Sequence, residues 1–144
     1  MYKENLKKVF SKIKINSYKS IFLNKNLAKM GDNFVNFIYS IARAIAVKNI
    51  SGQKVPGKVL MQAFRYSELN GYMPSRSSSH DIADAVESII FYVWLTEKMG
   101  INKIVDILVE ELKMGDFSSR KNEFDTAVLA FTKILNEIEK LKLF

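Results

Sequence analysis

The chain has no cysteine among its 144 residues. Disulfides and thiolate metal sites are thereby excluded, and the reducing cytoplasm is the expected compartment. Long apolar runs are missing too. The longest, Ile89–Leu95, is far shorter than the roughly 20 residues a membrane helix needs, so no membrane partner is expected. The opening stretch, MYKENLKKVFSKIKIN, has neither the apolar segment nor the cleavage site of a secretory signal. As a basic amphipathic segment it suits a transit peptide or a membrane surface. Helical spacing favours a surface helix with Leu6, Val9, Phe10 and Ile13 facing inward. Alternation of apolar and polar residues is nearly absent, which argues against strands. Repeats and low-complexity segments are absent as well.

Acidic residues are scarce in one half. Residues 1–60 hold 12 Lys/Arg against 2 Asp/Glu, and residues 61–144 hold 10 against 13, so a +10 half meets a −3 half in a chain of net charge +7. A basic half points to a polyanion such as nucleic acid, or to a solvated lysine-rich surface.

What is present is helical periodicity in a chain 48% hydrophobic and 12% aromatic, which is enough for one folded domain over residues 1–144. The spacing predicts an all-α bundle of about six helices. The first covers about residues 3–14, and a polar break follows at Asn16–Ser20. The second runs from about Asn26 to Val47, with Leu27, Met30, Phe34, Phe37, Ile38, Ile41 and Ile45 inward. The third opens at Pro56 and reaches about Leu69, and a loop spans Asn70–Ser79. The fourth starts at the cap pair Ser78 and Asp81 and ends near Gly100. The fifth spans about Ile101–Met114 and the sixth about Arg120–Leu143. Short loops predict that consecutive helices mostly pack antiparallel.

Two carboxylates, Asp84 and Glu87, interrupt the apolar stretch DAVESIIFYVWL. At i and i+3 they leave the helix on one side. Buried acids need a cation or strong hydrogen bonds. His80, one turn before Asp84, is either its partner or simply a helix-start residue. The other unusual acid is Asp32, directly after Gly31 in LAKMGDNFVNFIYS. A glycine inside a helix costs about 1 kcal/mol relative to alanine; a helix tolerates it best where something approaches its backbone. If the second and fourth helices pack side by side, Asp32 meets Asp84 and Glu87. Three carboxylates would select a hard cation, Mg²⁺ or Mn²⁺, and no organic cofactor. That ion would serve phosphodiester chemistry. For each acid alone, a half-exposed position or a lysine ion pair is the plain alternative.

These two stretches resemble the catalytic domain of the ribonuclease III family. LAKMGDNFVNFIYS is similar to its first signature, with Gly31-Asp32 as the signature pair, and DAVESIIFYVWL to its second, with Asp84 and Glu87. The usual family glutamate four residues before the signature aspartate is here Ala28. The short mini-ribonuclease III branch, without a double-stranded RNA-binding domain, has a small residue there and is the closer likeness. Archaeal ribonuclease III-like proteins of this size are another. Lys54-Val55-Pro56 is a loose counterpart of the basic linker. The motifs cover about residues 23–113 and leave the first and last helices aside.

The resemblance implies an all-α homodimeric endoribonuclease that cuts double-stranded or structured RNA with Mg²⁺. Asp32 and Glu87 would be catalytic metal ligands and Asp84 a supporting one. Lys54, Lys58, Arg65 and Arg76 are candidate phosphate contacts. Ser77, Ser78 and Ser79 suit hydrogen bonding to RNA or helix capping. Phe91–Trp94 is either dimer interface or core. Two other functions compete: a non-catalytic RNA- or ribosome-binding protein, and, ranked lower, an all-α nucleotide pyrophosphohydrolase, which would require a second acid pair.

Overall fold

The computed structural model of the chain describes residues 1–144. It contains seven α-helices, one 3₁₀ turn and no strand: α1 Tyr2–Phe10, α2 Tyr18–Phe22, α3 Lys25–Val47, α4 Gly57–Tyr66, the turn Glu68–Tyr72, α5 Ser79–Leu95, α6 Ile101–Lys113 and α7 Arg120–Lys140. One core of 35 buried residues runs through it. No helix is long and apolar enough to cross a membrane.

The extra helix is α2, inside the expected polar break. Ser17 and Ser20 cap it reciprocally, and Tyr18, Ile21 and Phe22 bury its inner side. The break's hydroxyls are caps, so a serine cluster that resembles a loop opens a short helix. Helix α1 ends earlier than expected. At its end Ser11 Oγ donates to the Lys8 carbonyl at 2.7 Å. No residue of α1 is buried. It docks through Phe10 against Tyr92 at 5.8 Å between ring centroids and through Lys3 over the Trp94 ring at 4.7 Å. Helix α4 stops at Tyr66, because Ser67 turns extended and donates to the Phe64 carbonyl at 2.8 Å. The 3₁₀ turn that follows buries Leu69 completely. Helix α5 stops at Leu95 rather than Gly100, since Glu97 takes a left-handed conformation with φ of 59°.

The packing order also departs from the expected chain of antiparallel neighbours. Helix α3 packs chiefly on α5 and α6, and α4 on α7 and α5, so α3 and α5 lie together at the centre. The expected inward stripe of α3 is present only in part: Leu27 and Ile38 are buried and Phe34 packs on the core. Leu27, Ala28, Gly31, Val35, Ile38, Tyr39 and Ala42 are buried, while Met30, Phe37 and Ile45 are exposed. Ala28 and Gly31 share this inner face because their small size lets α5 come close. The aromatic run at 91–94 is not a free surface. Phe91 and Val93 are buried, Tyr92 lies under Phe10, and Trp94 lies between Phe34 and Lys3.

The expected start of α5 is present. Ser78 Oγ accepts from the Asp81 N–H at 3.1 Å, and Asp81 Oδ2 accepts from the Ser78 N–H at 3.3 Å. This cap sets the first turn of the helix that carries Asp84 and Glu87. Replacing Ser78 with alanine should lower stability by about 1 kcal/mol. Urea unfolding would measure it, and an unchanged midpoint would show that the cap contributes nothing.

Candidate active site

Asn24 begins the site. Its Oδ1 accepts from the Leu27 N–H at 2.9 Å and so caps α3. Its carbonyl accepts from the buried Ser88 hydroxyl of α5 at 3.3 Å. Two turns further along α3, Gly31 meets the backbone of α5. A Cβ on Gly31 would lie 2.0 Å from the Glu87 carbonyl oxygen and 2.4 Å from its carbonyl carbon. Only glycine permits that approach. The contact brings Asp32, the next residue, alongside the Glu87 side chain.

A cleft of about 590 Å³ opens there, lined by Asp32, Asp84 and Glu87 with Lys25, Lys29, Lys54 and His80. Ala28, at the place of the usual family glutamate, is buried in its wall. Burial drives Glu87 up to about 8, helped by its hydrogen bond with Asp32 and by the negative charges of Asp32 and Asp84, with Lys54 opposing. Asp84 is turned differently. Its Oδ2 lies 2.9 Å from Lys25 Nζ and 3.5 Å from His80 Nε2, and Lys25 reaches Asp81 at 3.1 Å as well. Asp84, then Asp81, holds the Lys25 ammonium above the usual lysine range.

The expected three-acid cluster is therefore formed only in part. Asp32 and Glu87 meet, Asp84 shares their cleft but faces Lys25, and no three such side chains converge as a ready metal cage. A crowded, half-buried pair of carboxylates nevertheless suits a hard divalent cation. Mg²⁺ is commonly held by one or two carboxylates and completes its shell with water and phosphate oxygens. The donors present fit that ion.

The candidate phosphate contacts separate. Lys54 lines the cleft, whereas Lys58 lies on the first turn of α4, Arg65 at its far end and Arg76 in the loop before α5. None of the four is paired with an acid. Ser78 is the cap of α5, and Ser77 Oγ donates to the Pro74 carbonyl at 2.7 Å.

Three residues of the site escaped the sequence reading: Lys25, Lys29 and Asn36. Asn36 Nδ2 donates to Asp32 Oδ1 at 3.1 Å, and Asn36 Oδ1 accepts from the Val55 N–H at 2.7 Å. One turn on, Ser40 Oγ accepts from the Gln53 N–H at 2.8 Å and donates to its carbonyl at 3.0 Å. The i, i+4, i+8 series Asp32, Asn36, Ser40 is thus a polar stripe that clasps the loop carrying Lys54. Its helical spacing was a usable signal.

Two outcomes follow. Gly31→Ala gains about 1 kcal/mol of helix propensity but forces a methyl into the backbone of α5, at roughly 1–3 kcal/mol or more. Net destabilisation by denaturant titration is expected, and a variant as stable as the parent would contradict the contact. For Glu87, a folded value above the ordinary 4.5 means that the native state holds the proton more tightly than the unfolded state. The groups facing it are Asp32 from α3, Asp84 from α5 and Lys54 from the loop. Stability is then fully present below about 4.5 and is lost as pH rises towards about 8. In EDTA, Glu87→Gln should gain on the parent by on the order of 1 kcal/mol or more between pH 4 and pH 8. A pH-independent difference would contradict the burial of this carboxylate.

A family model described as Ribonuclease III matches residues 25–143. The match begins with α3 and takes in α7, which the two motifs had left uncovered, while α1 and α2 lie outside it. No curated protein matches the chain. Its all-α architecture agrees with the family match, which spans well over half of the chain, and the protein belongs to the ribonuclease III family.

Proposed function

We propose that this protein is a Mg²⁺-dependent endoribonuclease, with Mn²⁺ as a substitute ion, that cleaves double-stranded or structured RNA. The observation that carries the reading is the Asp32–Glu87 carboxylate pair, pressed together by the Gly31 contact inside the family-matched region. Asp32 and Glu87 would hold the ion, with Asp84 in support. A bound ion would activate a water and offset the charge that develops on the phosphodiester.

The chain's own side chains do the rest. Asn36 occupies one oxygen of Asp32, and Lys25 and His80 engage one oxygen of Asp84. Each of these two acids is thereby held in place, the role that outer partners play around metal ligands. Lys29 and Lys54 flank the acids and would meet phosphates of the cut strand. Lys58, Arg65 and Arg76 extend that basic surface. Such binding reads shape and phosphate rather than sequence and weakens steeply with salt.

The reading includes a homodimer in the cytoplasm. The exposed apolar face of α3 supports the dimer. Phe37, Ile41, Ala44 and Ile45 form, with Ile50, a groove of about 520 Å³. A second copy of the chain is the occupant we assign to it, in place of the aromatic run at 91–94. One observation favours a second reading: Ala28 leaves the cleft one carboxylate short of the usual family set, as an RNA binder without turnover would have it.

The assay that separates the two uses a labelled RNA duplex with Mg²⁺ or EDTA. The parent should yield metal-dependent products, and Glu87→Gln should lower the rate by roughly a thousandfold or more while remaining folded. Full activity in that variant would sink the assignment. Salt-sensitive duplex binding by both proteins without products would favour the non-catalytic reading.

A further inference from the structure

Beside the acid cleft lies a second cavity of about 320 Å³, of whose lining the proposed chemistry uses Lys54 alone. Lys54 lines both, so the two are neighbours. Its floor is apolar, built from Val59, Phe124 and Ala127. Its rim carries Lys54 and Arg120, neither paired with any acid. Glu123, the acid in its wall, is tied to Arg43. The local balance is therefore positive at the mouth and apolar within.

The cavity is also held in shape. One wall is the loop segment Gln53–Pro56, which Asn36 and Ser40 fasten to α3 through Val55 and Gln53. The opposite wall is the first two turns of α7, whose start Ser119 caps by accepting from the Asn122 N–H at 3.1 Å. Tyr39, itself largely buried, completes the lining, its ring centroid 5.8 Å from that of Phe131. Preformed sites for small ligands begin at roughly 300 Å³ and combine apolar walls with a few placed polar groups. This cavity sits at the small end of that range, which suits one nucleotide and not two.

We propose that this cavity is a subsite for a single unstacked nucleotide, its base against Val59, Phe124 and Ala127 and its phosphate between Lys54 and Arg120. Splayed bases seated on apolar and aromatic side chains are the usual means of reading structured RNA. The nucleotide would come either from an RNA strand that also crosses the acid cleft or from a free mononucleotide. The strand source rests on the endoribonuclease reading; the subsite itself does not. Adjacent seats for a scissile phosphate and an extruded neighbour would favour RNA with bulges or loops over uniform duplex.

The experiment is a heteronuclear NMR titration of the full chain in EDTA with the four nucleoside 5′-monophosphates, ribose 5-phosphate and a short single-stranded RNA. The monophosphates should shift the signals of Val59, Phe124 and Ala127 and bind more tightly than ribose 5-phosphate. Arg120→Ala, at an exposed residue, should weaken them about tenfold. Phe124→Ala should remove most of the preference over ribose 5-phosphate. Glu87→Gln should bind them as the parent does, so loss of cleavage and loss of this subsite are distinguishable. Short RNA binding at least tenfold more tightly than a mononucleotide would identify the strand as the source, and equal binding would identify the free nucleotide. No shifts at the lining residues, or shifts indifferent to both Arg120→Ala and Phe124→Ala, would overturn the proposal.

Discussion

The approach of Gly31 to the Glu87 backbone is the constraint on which the rest of the molecule hangs. Two helices can come this close only where one has no side chain, and here the close point falls beside both acids. Ala28, one turn earlier, continues the narrow seam, and Ser88 locks the start of α3 to α5 through the Asn24 carbonyl. The helix-propensity cost of the glycine is thereby offset by packing that no larger residue allows. The same contact has an electrostatic consequence. It forces Asp32 and Glu87 together out of bulk water, which is unfavourable unless a proton or a cation sits between them. Burial and the neighbouring acids accordingly push the Glu87 carboxyl up to about 8.

The charges around this pair are arranged with some economy. Asp84 is answered by Lys25, so its negative charge does not add fully to the strain. Asp32 is answered by a neutral amide, Asn36, which steadies it without cancelling its charge. Asn36 also fixes the loop that brings Lys54 to the mouth of the cleft. One side chain thus links the placement of an acid to the placement of a cation. The N-terminal helix α1 belongs to a different layer. It covers Tyr92 and Trp94, ion-pairs with Glu97 through Lys7 at 2.6 Å, and lies outside the family match.

Much of this was legible in the sequence, for identifiable reasons. Gly31 and the isolated Asp32 violate local helix preferences, and such violations point to close contacts and to sites. The Ser78–Asp81 cap is a local motif and emerged where its spacing said it would. What depended on tertiary packing was harder. Of the large residues of α3 that look like a core stripe, Leu27 and Ile38 are buried, but Met30, Phe37 and Ile45 are exposed, because the face that meets α5 also takes in Ala28 and Gly31. The short helix α2 was hidden by its own capping serines. Asp84 was expected with the other acids; its capture by Lys25, seven residues before Asp32 in the chain, depends on how α3 meets α5 and cannot be counted from spacing within one helix. The cleft and the second cavity share Lys54, a relation that exists only once the loop is clasped.

The central claim is that the Asp32–Glu87 pair is a divalent-cation site. The most direct measurement is an anomalous-difference map from crystals soaked in Mn²⁺. The account predicts a peak in the cleft with oxygens of Asp32 and Glu87 as ligands, absent in Glu87→Gln crystals treated in the same way. A cleft without a peak at saturating Mn²⁺ would contradict it.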